Sequence, residues 1–397
     1  MNKTIFRKLT YILVLSIYSV TSVAQKDTLV EQHGKFLKNL GLNAMYQNGH
    51  VFATNEFLRG NNAEAEKIKS YQAFALKLLK QTKGDKLWEQ IYRYPNWGIG
   101  IYTADFYNPE EIGNPVAVYA FFNAPFLRQN RFSFNYEFGF GATFNWQSYN
   151  PLTNQYNKSI GAGESFLIDA GIDIAYRIFK QVEIKAGVGL THFSNGGLKV
   201  PNLGLNTIAP KISLRYNFFD RYDFKKQEVP EYKDRNEWLF SLYGGLKNVV
   251  YDSLDVSLME KYEGVFYPET GLSMLYNRQL SYKSKIGMGI TFSYDGSIDA
   301  QVAVDNGEVE PVKGPFKDKI LISIYPSYEL VAHKVSLIIQ PAFYIYRKTL
   351  KSQSPMFHQR IGLKYHITDH VFAGITLRAY DFHVSDFVEW SLGYRLR

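Results

Sequence analysis

Apolar and polar residues alternate one by one along most of this chain, and that period limits the fold more than any other feature. On a β-strand residues i and i+2 share a face, whereas a helix repeats every 3.6 residues. Over 131–145 the even positions are Phe132, Phe134, Tyr136, Phe138, Phe140, Ala142 and Phe144, and the odd ones are Arg, Ser, Asn, Glu, Gly or Thr. Over 166–176 Phe166, Ile168, Ala170, Ile172, Ile174 and Tyr176 oppose a face holding Asp169, Gly171 and Asp173. Over 286–294 Ile286, Met288, Ile290, Phe292 and Tyr294 oppose Gly287, Gly289, Thr291 and Ser293.

Two folds use such strands. A soluble sandwich turns the apolar face inward, and an outer-membrane barrel turns it outward into lipid around a polar lumen. Composition decides between them. Tyr (30) and Phe (29) are as frequent as Gly (30), yet mean hydropathy is only −0.24. The pattern therefore predicts an all-β, antiparallel transmembrane barrel of the outer-membrane type, with a soluble periplasmic β-protein as the competing fold. Beyond the N-terminal segment no apolar run approaches the roughly 20 residues of a membrane helix. With no Cys, disulfide scaffolds and Cys-ligated metals are excluded.

Residues 1–24 carry Lys3, Arg7 and Lys8, then an apolar run, and end Ser22-Val23-Ala24. This pattern predicts a cleaved secretory signal peptide and hence export to the outer membrane of a Gram-negative cell. Removing those three charges lowers the formal net charge from +8 to +5, too small a surplus for a nucleic-acid footprint. Sixteen candidate strands follow, the first near 41–57 and the last near 385–396. If the mature N-terminus starts in the periplasm and the chain alternates, the short connections near Phe179, Tyr282, Ala332 and Asp369 are periplasmic. The long ones at 146–163, 248–263 and 298–317 then lie outside, as barrels require. Segments 80–96 and 219–235 break the rule, being long but on the inner side. The charged stretch 219–235 divides the chain into 25–218 and 236–397, with about eight strands each. One sixteen-stranded barrel and two eight-stranded barrels both fit.

The candidate site lies at Thr191-His192-Phe193-Ser194-Asn195-Gly196-Gly197-Leu198-Lys199-Val200-Pro201-Asn202-Leu203-Gly204-Leu205-Asn206. His192 and Ser194 share a face, the minimal pairing of a base with a nucleophile. They continue the apolar stripe of Ala186, Val188 and Leu190, so they face lipid. Asn206 begins the lipid-facing stripe of the next strand. Polar side chains directed at hydrocarbon are costly without a partner or a purpose. The bland alternative is that they meet only water or headgroups at the rim.

The string His192-x-Ser194-Asn195-x-Gly197-Leu198-Lys199-x-Pro201-Asn202-x-Gly204 resembles the signature of the PagL-type lipid A 3-O-deacylases, also called acyloxyacyl hydrolases. The resemblance extends to about residue 218. It implies an eight-stranded outer-membrane barrel and a serine esterase acting on lipid A of the outer leaflet. By motif position it implies Ser194 as nucleophile, His192 as general base, and backbone amides near Asn195 and Gly197 as the oxyanion hole. The family has glutamate where this chain has Asn206. An asparagine can orient the imidazole but cannot neutralise the imidazolium.

No cofactor and no metal are expected. His33, His50, His333, His358, His366, His370 and His383 have no ligand spacing, and Gly161-Ala162-Gly163 lacks the strand and helix of a phosphate cradle. The expected partner is lipid A, or lipopolysaccharide, in the outer leaflet, with no nucleic acid; the sequence does not indicate an oligomeric state. The competing function is a non-enzymatic barrel, a pore or adhesin that keeps a degenerate motif.

Overall fold

A computed structural model describes residues 39–197, 199–219, 224–252, 255–352, 355–380 and 384–397. The signal segment 1–24, Leu198 and His383 lie outside the described residues. Sixteen antiparallel strands close into two separate eight-stranded barrels. The first contains β1 (Leu40–Val51), β2 (Ser70–Gln81), β3 (Asn96–Asp105), β4 (Gly113–Gln129), β5 (Phe132–Trp146), β6 (Ser165–Arg177), β7 (Val182–Ser194) and β8 (Leu205–Asn217). The second contains β9 (Arg235–Lys247), β10 (Tyr267–Gln279), β11 (Ser284–Asp295), β12 (Ile320–Ala332), β13 (Val335–Tyr346), β14 (Phe357–His366), β15 (Val371–Tyr380) and β16 (Val384–Leu396). Three short helices lie in connections: α1 (Leu87–Ile91), α2 (Val256–Tyr262) and α3 (Ile298–Asn306).

Closure is direct. β1 pairs with β8 from Gly41↔Asn217 to Val51↔Thr207, and β9 pairs with β16 from Trp238↔Leu396 to Gly244↔Trp390. Of the two architectures the sequence allows, the chain adopts two eights. Strand number, tilt and diameter are linked, and eight strands leave a lumen that side chains fill.

The faces fall as the alternation predicts. Ile99 is 59% exposed and Leu242 61% exposed on the outer walls. The lumens hold the buried charges. In the first barrel Glu137 takes Lys77 and Lys211, Asp173 takes Lys185, and Arg215 meets Glu183. In the second, Arg378 and Arg360 share Glu389, Arg378 also takes Glu269, and Lys364 and Lys285 share Glu329. Two lumen voids measure about 10 Å³ beside Glu137 and about 30 Å³ beside Arg360, room for little more than water. No helix among the described residues is long and apolar enough to cross a membrane.

The inverted polarity of this core predicts barrel behaviour on gels. Full-length protein in detergent should migrate faster unheated than boiled, because the closed hydrogen-bonded wall resists dodecyl sulfate at room temperature. Identical migration in both lanes would refute the barrels.

Segment 80–96 and the described part of the second exception, 224–235, lie between the barrels. Segment 82–95 contains α1, where Trp88 stacks on His333 of the β12–β13 turn with ring centroids 5.4 Å apart. Burial, then the Lys86 and Lys334 charges, holds His333 below the usual imidazole range, so it stacks as a neutral ring. The Tyr92 hydroxyl donates to the Val331 carbonyl, and Lys283 lies 4.7 Å over the Tyr92 ring. The linker returns to the same place: Lys225 bonds Asp85 at 2.6 Å, and its carbonyl accepts from Gln90 at 2.5 Å.

Candidate functional site

The site forms where β7 leaves the first barrel at its long-loop end. Phe193 separates the two polar residues and points the other way, into the lumen. There it is fully buried, with centroids 5.1 Å from Trp146 and 6.2 Å from both Tyr102 and Phe106. That anchor fixes His192 and Ser194 on the outer wall. Exposure falls along this stripe, from 51% at Leu190 to 5% at Ser194.

His192 and Asn206 are direct cross-strand partners on β7 and β8. Their side chains meet at 2.6 Å between His192 Nδ1 and Asn206 Oδ1. An amide oxygen only accepts, so Nδ1 carries the proton and Nε2 is left as the basic nitrogen. Antiparallel pairing thus brings Asn206, fourteen positions along the chain, against the His192 ring.

Ser194 is the end of the strand, and the turn after it folds back onto its oxygen. Gly196 N–H donates to Ser194 Oγ at 3.1 Å, and Asn202 Nδ2 donates at 2.8 Å. Gly196 and Gly197 make this possible with φ of +67° and +83°, which side chains other than glycine adopt at a cost. Two donors fill the acceptor positions of the hydroxyl and would stabilise the oxygen as its proton leaves. Among the described residues no hydrogen bond joins His192 to Ser194; such contacts often tighten only when substrate is bound.

The two expected oxyanion amides point within the loop. Asn195 N–H donates to Asn202 Oδ1 at 3.2 Å, and Gly197 N–H donates to Asn195 Oδ1 at 2.9 Å. Asn202, a letter of the motif to which the sequence alone gives no role, therefore ties Ser194 to the loop. Segment 146–164 supports the arrangement from outside, with the Lys158 and Ser159 carbonyls each accepting at 3.0 Å from Leu203 and Gly204 N–H. Glu164 is exposed on that connection. No group of three or more His, Asp or Glu side chains that could hold a metal occurs among the described residues.

Residues 72–217 match the family described as lipid A 3-O-deacylase (PagL), and residues 236–397 match the family described as acyloxyacyl hydrolase, C-terminal domain. The chain belongs to the PagL family. Its second barrel, which lies beyond the stretch whose sequence resembles the family motif region, matches the C-terminal domain of that second description. No curated relative matches the chain. Among solved structures, the outer membrane enzyme PagL is 17% identical over 43% of this chain and 97% of its own, with a TM-score of 0.29. Neisserial surface protein A is 10% identical over 45% of this chain and 97% of its own, also at 0.29. Omp33 of Acinetobacter baumannii is 8% identical over 91% of this chain and 99% of its own, at 0.16.

Proposed function

We propose that this protein is an outer-membrane serine esterase that removes an ester-linked acyl chain from lipid A. The observation that carries the reading is the Asn206–His192 hydrogen bond beside Ser194, on the lipid-facing wall of a barrel of the PagL family. His192 Nε2 takes the Ser194 proton as Oγ attacks the ester carbonyl. The same imidazolium then protonates the leaving sugar oxygen, and water attacks the acyl-serine in the second half-reaction. The amides of Asn195 and Gly197 serve the tetrahedral oxyanion once substrate draws them from their internal acceptors, with Gly196 N–H beside them. Phe166 and Ile168, paired across from Ser194 and His192 on β6, offer an apolar wall along which an acyl chain can lie.

An ester buried in the leaflet reaches such a site by lateral diffusion, which is a reason for chemistry on the outside of a barrel. The competing pore is disfavoured by the ion pairs that fill both lumens. The test is mass spectrometry of lipid A from a Gram-negative host expressing the full chain or its Ser194→Ala variant. Loss of one acyl chain only with the intact serine is the expected result, and unchanged lipid A in both sinks the proposal.

Asn206 orients the imidazole without charge. Asn206→Glu should therefore raise kcat, by up to about 10⁴-fold if the carboxylate has the full value known for triads, with little change in KM. Initial rates on purified lipid A in detergent check this; a fall in kcat would show that this site is built around the neutral amide.

A further inference from the structure

Ser194 is nearly inaccessible although its wall faces lipid: its own turn folds over it, and the second barrel packs against that turn. A Cβ on Gly197 would lie 2.7 Å from the Asp386 carbonyl oxygen, and one on Gly196 would lie 2.7 Å from Val388 Cγ2 and 3.6 Å from Leu377 Cδ1. Asn248 Nδ2 donates to the Gly197 carbonyl at 3.2 Å. Val388 belongs to the outward stripe of β16 with Trp390, Leu392 and Tyr394, yet it is 8% exposed where those three are 48% or more. The catalytic turn of one barrel is thus packed on the wall of the other.

A local irregularity turns that packing toward chemistry. On β16, Phe387 pairs with Arg378 but Ser385 pairs with Ala379, so Asp386 is an extra residue in the ladder. Strict alternation back from Val388 would send Ser385 into the lumen. Instead the bulge sends Asp386 and Phe387 both inward. Asp386 meets Lys247 at 3.5 Å and the Tyr380 hydroxyl at 3.0 Å. Phe387 is fully buried beneath the Arg378 guanidinium. Ser385 is left facing out, with its Oγ 3.4 Å from Ser194 Oγ. Bulges that re-aim one side chain are over-represented beside active sites.

We infer that the second barrel completes the ester site, with Ser385 as a hydrogen-bond donor to the acyl carbonyl oxygen under attack. The inference rests on the esterase reading above. The hydrogen assignment follows from what Ser194 already accepts. Its lone pairs are taken by Gly196 and Asn202, so between the two hydroxyls Ser194 is the donor and Ser385 the acceptor. The proton of Ser385 is then free to point into the space an ester must enter. When His192 takes the Ser194 proton, the Ser385 donor is already beside the carbon being attacked. Such a donor, placed before reaction, needs no reorganisation when charge develops on the carbonyl oxygen.

Two measurements on the full chain test this. The protein has no cysteine, so a Ser194→Cys/Ser385→Cys variant reports apposition without background. A short bis-methanethiosulfonate added to outer membranes should join the two positions within one molecule, seen as a linked peptide by mass spectrometry. A Ser194→Cys/Leu272→Cys control, with its second thiol elsewhere on the outer wall of the second barrel, should not link. In kinetics on lipid A micelles, Ser385→Ala should lose about a hundredfold in kcat, the usual value of one oxyanion donor, with KM changed less than threefold. Ser385→Thr, which keeps the hydroxyl, should recover most of it. Absence of the linked peptide, or wild-type kcat in Ser385→Ala, overturns the inference while leaving the esterase reading intact. A linked peptide in the double-cysteine variant together with no fatty-acid release by the wild-type chain overturns the esterase reading, and the donor role with it.

Discussion

Ser194→Ala should lower the rate of fatty-acid release from lipid A by about 10³-fold or more, and His192→Ala should lower it by a similar factor. The double variant should be no slower than the slower single one, because nucleophile and base act as one unit and their losses do not add. Initial rates by mass spectrometry of released acid, with folded protein verified by gel migration, give all three numbers. The reasoning is local. Gly196 and Asn202 already stabilise the oxygen of Ser194 by hydrogen bonds, but without a base its proton has no acceptor of adequate strength. A double variant slower by the product of both factors would mean that His192 acts separately from Ser194.

The second large effect concerns stability. Arg378 is 1% exposed and ties together Glu269, Glu389 and the Tyr344 and Tyr243 hydroxyls in the lumen of the second barrel. Arg378→Met should cost about 3–5 kcal/mol, the usual penalty for leaving buried carboxylates without their partner. Glu389 keeps Arg360 at 2.6 Å, whereas Glu269 keeps only Lys247 at 3.6 Å. Adding Glu269→Gln should therefore recover part of the loss, since the orphaned charge is removed. Urea unfolding in detergent micelles, followed by loss of the fast-migrating species, measures both. A single variant as stable as wild type would show that water reaches Glu269 despite its burial.

Face assignment was legible in the sequence because a strand's period is two, and a lipid-facing wall reads as an unbroken row of Phe, Ile, Leu and Tyr. The same logic put His192, Ser194 and Asn206 on one wall, and the cross-strand pair His192↔Asn206 agrees. The number of barrels was not legible. Closure depends on which distant strand a free edge finds, and β1 has the same alternation whether it meets β8 or β16. Segment 80–96 looked misplaced by length because its partners, Val331 and His333, lie more than 230 residues further along the chain. Ser385 was hidden twice over. It stands 191 positions from Ser194, and a single bulged residue reverses the face that period-two counting assigns to it. Asn202 stood in plain view inside the motif, but its role depends on how two left-handed glycines fold the turn back.

The barrels touch at two heights, through Gly196 and Gly197 at one end and through Trp88 and Tyr92 at the other. One such contact would leave a pivot, about which two cylinders could scissor as the bilayer thins or thickens. Two make a brace. Both contacts would have to break before the barrels could scissor, so the 3.4 Å spacing of Ser194 and Ser385 is held from both ends. The brace also covers one flank of the turn that holds Ser194, and on the esterase reading an incoming acyl chain would meet Phe166 and Ile168, which pair across from Ser194 and His192 on β6.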